Sequence, residues 1–253
     1  MHKLIYILYY NIMPNVSIVI PAYNEEKYIG RLLASLNKLP TENILEIIVV
    51  DNGSTDKTRE VVAGFFATQK NLRLINEPRK GVAWARSRAT QEARGEIIAF
   101  LDADTYVSSR WLSKLLKVFS SGKIVCLSGP TYFDDIPKRQ RTVVRIYWFF
   151  ASVFVAPITG FMGIFGNLSV RASSLQKIGG IDTSVEFYGD DTNVTRRLSK
   201  VGKVLFTQRF SVYASGRRLS QEGLIHTAWR YALNFFSEVL LHKPITKGYT
   251  EVR

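Results

Sequence analysis

Four aspartates in two close pairs are the residues of this chain best suited to chemistry. Asp102 and Asp104 close the apolar run Ile97-Ile98-Ala99-Phe100-Leu101. In an extended strand, residues i and i+2 point to the same side, and a turn could equally bring both carboxylates to one ion. Two hard anionic oxygens at the carboxyl end of a buried strand suit a divalent cation, and a cation there suits a diphosphate. The second pair, Asp190-Asp191, opens a segment that reads as a helix through Leu198. Carboxylates at a helix start complement its dipole, and one that stays ionised there can accept a proton. Arg217 and Arg218 add two guanidinium forks, suited to a diphosphate or to an acceptor phosphate. Taken singly, each feature has a plainer explanation as a turn, a helix cap or a solvated face.

The elements that must position these groups are legible around them. A run of five apolar residues reads as a strand buried on both faces, as in a parallel sheet. Val16-Ser17-Ile18-Val19-Ile20 reads as a strand broken by Pro21, and Asn24 as the cap of a helix carrying Ile29, Leu32, Leu33 and Leu36. Glu46 to Val50 is a second strand ending at Asp51, followed by a turn and a helix with Val61, Val62, Phe65 and Phe66. Leu72 to Ile75 is a third strand, and Gly81 opens another helix. Strands alternating with helices in this way predict βαβ units and a parallel sheet. Ligands of such sheets sit beyond the carboxyl ends of the strands, where Asn24, Glu25, Asp51 and the Asp102/Asp104 pair all fall. No G-x-G-x-x-G follows the first strand and no P-loop is present, which disfavours a dinucleotide cofactor and a P-loop NTPase.

The formal charge of +13, from 34 basic and 21 acidic residues in 253, points to an anionic partner. Cys126 is the only cysteine, so an internal disulfide is excluded and a thiolate metal site is not expected. His2, His226 and His242 show no ligand spacing. These features fit a reducing, cytoplasmic setting. The apolar segment Met1–Tyr10 is short for a spanning helix. It reads either as a membrane-contacting extension or, preferably, as residues ahead of a true start at Met13.

In the second half, Trp111, Leu112, Leu115, Leu116 and Phe119 predict a core-facing helix, and Ile124 to Leu127 a strand. Lys138, Arg139, Arg141 and Arg145 precede twenty uncharged residues, Ile146 to Phe165, rich in aromatics. A single membrane span there would separate the two halves of the site. Two readings remain: an amphipathic or re-entrant segment contacting an anionic membrane face, or a buried core helix. Seven basic residues and no acidic one lie between Arg196 and Arg218, with Arg217 and Arg218 read as part of a flexible loop. The stretch from Gln221 to His242 predicts an amphipathic helix that docks on the domain, dimerises or attaches to a membrane.

Val16 to Asp104 resembles glycosyltransferase family 2, inverting enzymes with the A-type (GT-A) nucleotide-diphospho-sugar transferase fold. The resemblance is carried by Val19-Ile20-Pro21-Ala22-Tyr23-Asn24-Glu25, by Ile48-Val49-Val50-Asp51-Asn52-Gly53-Ser54-Thr55-Asp56, by Gly81 with Ala85-Arg86, and by Leu101-Asp102-Ala103-Asp104. It implies an α/β fold with a mostly parallel, Rossmann-like sheet flanked by helices. It places Pro21, Ala22, Tyr23, Glu25 and Asp51 around the nucleoside, and Gly53, Gly81 and Arg86 near the nucleotide. By the same resemblance Asp102 contacts the sugar-nucleotide and Asp104 binds a divalent cation, Mg²⁺ or Mn²⁺. Gly179-Gly180-Ile181-Asp182 ahead of the second acid pair also matches the family, so Asp191 takes the general-base position, with Asp190 where Glu is more usual. Asn193 stands where a further acid is often found. The Q-x-x-R-W pattern of processive members is absent.

The expected organisation is an extension over 1–14, a transferase domain over 15–220 (nucleotide-binding half 15–107, acceptor half 108–220), and a C-terminal helix and tail over 221–253. The expected donor is a UDP- or GDP-sugar. The expected acceptor is a sugar or a polyprenyl-phosphate-linked molecule, met peripherally at the inner face of the cell membrane. A homodimer is compatible, and nucleic acid is not an expected partner. Two rivals are a non-catalytic nucleotide-sugar-binding protein at the membrane surface and a sugar-nucleotide pyrophosphorylase, which lacks its Gly-rich loop here.

Overall fold

The computed structural model describes residues 13–185 and 189–241. The N-terminal segment, Tyr188 and the tail beyond 241 lie outside the described residues, as does the expectation about a start at Met13. In chain order the elements are β1 (Val16–Ala22), α1 (Ile29–Leu36), β2 (Ile44–Asp51), α2 (Thr58–Ala63), β3 (Leu72–Asn76), α3 (Val82–Glu92), β4 (Ile97–Phe100) and β5 (Thr105–Tyr106). They continue with α4 (Trp111–Phe119), β6 (Ile124–Ser128), β7 (Thr131–Phe133) and α5 (Lys138–Thr159). Last come β8 (Leu168–Arg171), α6 (Ala172–Lys177), α7 (Asp190–Ser199), β9 (Lys203–Phe206), β10 (Val212–Ala214), α8 (Arg217–Glu222) and α9 (Leu224–Leu241).

Seven strands form one sheet in the order β3-β2-β1-β4-β8-β6-β9, and β5-β10-β7 form a small second sheet. The large sheet is parallel except for β8, which runs antiparallel to both neighbours. β4 is buried on both faces because its side chains alternate between two cores. Ile97, Ala99 and Leu101 pack with α1 and α4 residues, while Ile98 and Phe100 pack with Ala85, Leu168 and Val194. β4 therefore ends in the middle of the molecule, and whatever follows it opens onto the crevice beyond the strand ends.

Several local expectations change. β1 runs through Pro21 to Ala22 instead of stopping at the proline. Residue pairing between β1 and β4 ends at Val19, whose carbonyl accepts from the Leu101 N–H at 3.0 Å, so Pro21 lies just past the paired stretch on that side. Asn24 does not cap a helix; α1 begins at Ile29. Asn24 instead takes a left-handed backbone (φ 55°), and its Oδ1 accepts from the Thr55 N–H at 2.7 Å, tying the first loop to the second. Arg217 and Arg218 are not in a flexible loop but in the first turn of α8.

The apolar segment after the basic cluster is not a core helix. α5 is one 22-residue helix of which only 11% of the most apolar stretch is buried. Its basic residues form the first turns, started by Pro137. A π-helical turn at Ala151–Val155 precedes Pro157, whose ring would crowd the carbonyl four residues back in an ordinary α-turn. Gly160, at φ 72°, ends the helix.

Candidate active site

The loops after β1 and β4, the start of α3, and helices α5, α7, α8 and α9 enclose one large cleft of about 1300 Å³. The chain turns sharply after Leu101, where the Thr105 N–H and hydroxyl both donate to the Asp102 carbonyl at 3.0 and 2.8 Å. This turn, and not strand alternation, sets Asp102, Ala103 and Asp104 side by side on the cleft wall. Asp191 reaches the same cleft from the first turn of α7.

Two arginines bind the acidic groups together. Arg86, 4% exposed on α3, donates to Asp102 at 2.9 Å and to Asp190, and stacks 4.1 Å over the Phe165 ring. One guanidinium thus braces the first acid pair against the second across the cleft base. Arg217 donates to both oxygens of the buried Glu25, lies 3.3 Å from Asp104, and rests over Tyr28. It holds the β1 loop, the β4 turn and α8 at one point.

Burial drives the electrostatics. Loss of water raises the Asp104 carboxyl to about 7; Arg217 opposes this, while Glu25 and Asp102 add to it. Burial likewise raises both Asp190 and Asp191, with Arg86 pulling the other way. The Asp191 carboxylate also accepts from the Thr192 N–H at 2.7 Å, which fixes its orientation. Tyr147 of α5, raised by burial and by the field of Asp191, lines the same cleft as that carboxylate.

The donor set at Asp102 and Asp104 fits a divalent cation. Among the described residues no group of three or more His, Cys, Asp or Glu side chains is placed to enclose a metal. Two carboxylates with an open face are, however, how Mg²⁺-like ions are held when substrate phosphates complete the shell. Burial is the main cause of the upward shift of Asp104, with Glu25 and Asp102 adding to it against Arg217, and a cation at this position would favour the ionised form.

Of the residues singled out from sequence, Pro21, Ala22, Tyr23, Glu25, Gly81 and Arg86 line this cleft, together with Asp102, Asp104, Asp191, Arg217 and Arg218. Asp51 and Gly53 are not on its wall. Asp51 is 1% exposed and accepts from the Arg59 Nε at 2.6 Å and from the Ser54 N–H at 3.2 Å. Asp190 is held beneath the wall by Arg86. Arg218 pairs with Glu222 one turn along α8, at 3.1 Å.

Gly166 is a position that sequence reasoning missed. A Cβ there would lie 2.8 Å from the Asp102 Oδ2, so the glycine makes room for the carboxylate. Gly166→Ala is expected to displace Asp102 and lower turnover by up to about 10²-fold, with the fold kept because the displaced group is a side-chain end. Steady-state kinetics beside a thermal melt checks this. Asn167 was missed too; fully buried, it accepts from the Trp111 indole at 3.1 Å and donates to the Phe210 carbonyl at 2.8 Å, locking the loop that carries Gly166.

This architecture is the GT-A glycosyltransferase fold. Over 91% of this chain it matches the mannosyltransferase PcManGT from Pyrobaculum calidifontis in complex with GDP-Man and Mn²⁺, at a TM-score of 0.71 and 22% identity, covering 64% of that chain. Over 92% it matches S. aureus TarS 1-349 in complex with UDP-GlcNAc, at 0.64 and 19%, covering 68% of that chain. The model of the glycosyl transferase family 2 matches residues 17–179, and the chain belongs to that family. Among curated relatives it is 33% identical to an uncharacterized glycosyltransferase of Haemophilus influenzae, over 52% of this chain and 53% of the other. It is 37% identical to the hyaluronan synthase of Pasteurella multocida, over 45% of this chain and 12% of that one. The chain thus aligns with about half, or far less, of the length of these relatives.

Proposed function

We propose that the protein transfers a single sugar, with inversion, from a UDP- or GDP-sugar to an acceptor hydroxyl, acting from the cytoplasmic side in peripheral contact with the membrane. The observation that carries this reading is the presence of Asp102, Asp104 and Asp191 on the walls of one cleft, braced by Arg86. Pro21, Ala22, Tyr23, Gly81 and Arg86 border the nucleotide end in this reading, with Asp51 and Gly53 behind it. Asp102 and Asp104 would hold Mg²⁺ or Mn²⁺, which when bound neutralises charge on the departing diphosphate. Arg217, released from Asp104 by the incoming ligand, supplies a second cation to the same diphosphate.

Asp191 removes the acceptor proton while the acceptor oxygen attacks the anomeric carbon from the side opposite the leaving group. Its orientation by the Thr192 N–H keeps one oxygen occupied and leaves the other to face the acceptor. Asp190 is a positioning residue, anchoring the start of α7 to Arg86. The basic N-terminal turns of α5 and its exposed aromatic face support contact with an anionic membrane surface.

The test is release of UDP or GDP from a panel of nucleotide sugars with Mn²⁺, measured with and without candidate acceptors. Asp104→Ala is expected to weaken Mn²⁺-dependent nucleotide binding by at least about tenfold, since one charge-bearing ligand is worth more than about 1.4 kcal/mol at a buried site. Calorimetric titration reads the change. Equal nucleotide affinity in the variant and the parent would remove the cation from this position.

A further inference from the structure

The cleft that holds the acidic residues does not end at Asp191. It continues as a groove between α5 and α9, walled by Val143, Tyr147 and Phe150 on one side and Ala228, Ala232 and Phe236 on the other. The residues on α5 are spaced i, i+4, i+7 and those on α9 i, i+4, i+8, so on each helix they share a face; Val143, Phe150 and Phe236 stay about half exposed in the open cleft. The groove is floored beside Trp148, whose indole donates to the Thr131 carbonyl at 2.9 Å and pins α5 in place. At about 1300 Å³ the whole cavity exceeds the roughly 300–1,000 Å³ of an ordinary small-molecule site, leaving room for a second ligand beside a nucleotide sugar.

The outer face of α5 is apolar as well. Ile146, Phe149 and Phe154 on α5 are about half exposed, and Ile158 is 82% exposed. Exposed Lys138, Arg139 and Arg145 lie at the near end of α5. A long apolar helix edged with basic residues suits a lipid surface. Val143, Tyr147 and Phe150 of α5 line the same cleft as Asp191, so a chain lying along them carries its head group towards that carboxylate.

We propose that the acceptor is an amphiphile whose aliphatic chain lies in the α5–α9 groove and whose hydroxyl is delivered to Asp191. This rests on the transferase reading for the role of Asp191 and adds the substrate class. The step balances without a further reactant: the acceptor oxygen bonds to the anomeric carbon, its proton passes to Asp191, and the nucleoside diphosphate leaves with the electron pair of the broken bond. Chain length sets affinity, because each buried methylene strengthens binding about fourfold.

The test is photo-crosslinking of the full chain with a dodecyl β-glucoside carrying a diazirine in its chain, mapped by mass spectrometry. The label is expected on Val143–Val155 and Leu224–Phe236, on groove-facing positions. Octyl β-glucoside should compete at least tenfold better than hexyl β-glucoside. Labelling should persist with saturating Mn²⁺ and UDP or GDP, since donor and acceptor must bind together. Decyl phosphate as competitor separates the headgroups: weaker competition than decyl β-glucoside is expected, and stronger competition overturns the hydroxyl assignment. Ala232→Trp, which fills the groove, should cut labelling at least fivefold; Ala228→Leu serves if that variant melts early. Labels confined to Ile146, Phe149 and Ile158, no gain with chain length, or displacement by nucleotide would each overturn the chain seat. Nucleotide titration of the same protein is read separately: failure there with groove labelling intact removes the transferase reading alone.

Discussion

Asp191→Asn is expected to lower turnover by about 10²–10⁴-fold, the range that a positioned general base contributes, while nucleotide affinity stays within a few-fold. The asparagine keeps the side-chain oxygen that accepts from the Thr192 N–H, so the start of α7 is preserved and the loss isolates proton transfer. The parent enzyme carries a matching pH signature. Burial raises the Asp191 carboxyl, so its base form is lost at a higher pH than for a solvated aspartate near about 4. Activity should therefore fall on the acid side with a midpoint displaced upward from the ordinary carboxylate range. The variant should lose that limb. A parent profile flat down to the pH of a solvated carboxylate would separate Asp191 from the rate-limiting proton transfer.

Arg86→Met is expected to be the most damaging single change to stability. Removing one partner of a buried pair typically costs about 3–5 kcal/mol, because the remaining charge is stranded. Arg86 and Asp190 are both buried, with side chains 5% and 8% exposed, and Asp102 depends on the same guanidinium. The sign of the pH dependence follows from Asp190. Its folded carboxyl is raised, so protonation relieves the stranded charge below that raised value, and the relief disappears as pH climbs through it. The variant should consequently be closer to the parent in denaturant midpoint in mildly acidic buffer than at pH 8. Adding Asp190→Asn should recover much of the loss at pH 8. Equal destabilisation at both pH values, with no rescue by the second change, would mean that Arg86 acts chiefly through packing on Phe165.

How much of this could be read from the sequence depended on the range of the interaction. The strands β1, β2, β4 and β6 are apolar runs whose burial is dictated by their own composition, and the βαβ rhythm foretells the parallel pairing of β1 with β2 and β4. The Asp102/Asp104 and Asp190/Asp191 pairs stand out by local spacing. The braces between them do not. Arg86 and Asp190 are 104 positions apart, and Arg217 and Glu25 are 192 apart, so no local pattern links either pair. The same blindness explains Asn24, which resembles a helix cap locally but serves the second loop. The exposed aromatic face of α5 was ambiguous for a different reason: an apolar helix has the same composition in a core and at a surface, and only tertiary contacts separate the two.

The groove belongs to the same category. The alanines of α9 look like filler in a helical pattern, yet Ala228 and Ala232 line the same cleft as Tyr147 and Phe150. That placement matters only because α5 and α9, far apart in sequence, both abut the cleft holding Asp191.

The most direct test of the central claim is a crystal of the protein grown with Mn²⁺ and UDP or GDP, with data collected at the manganese edge. The predicted result is a single anomalous peak within coordination distance of Asp102 or Asp104, with the diphosphate bound to the ion and Asp191 facing it across an open gap. A manganese peak at other residues, or a nucleotide bound away from this cleft, would contradict the assignment of the site.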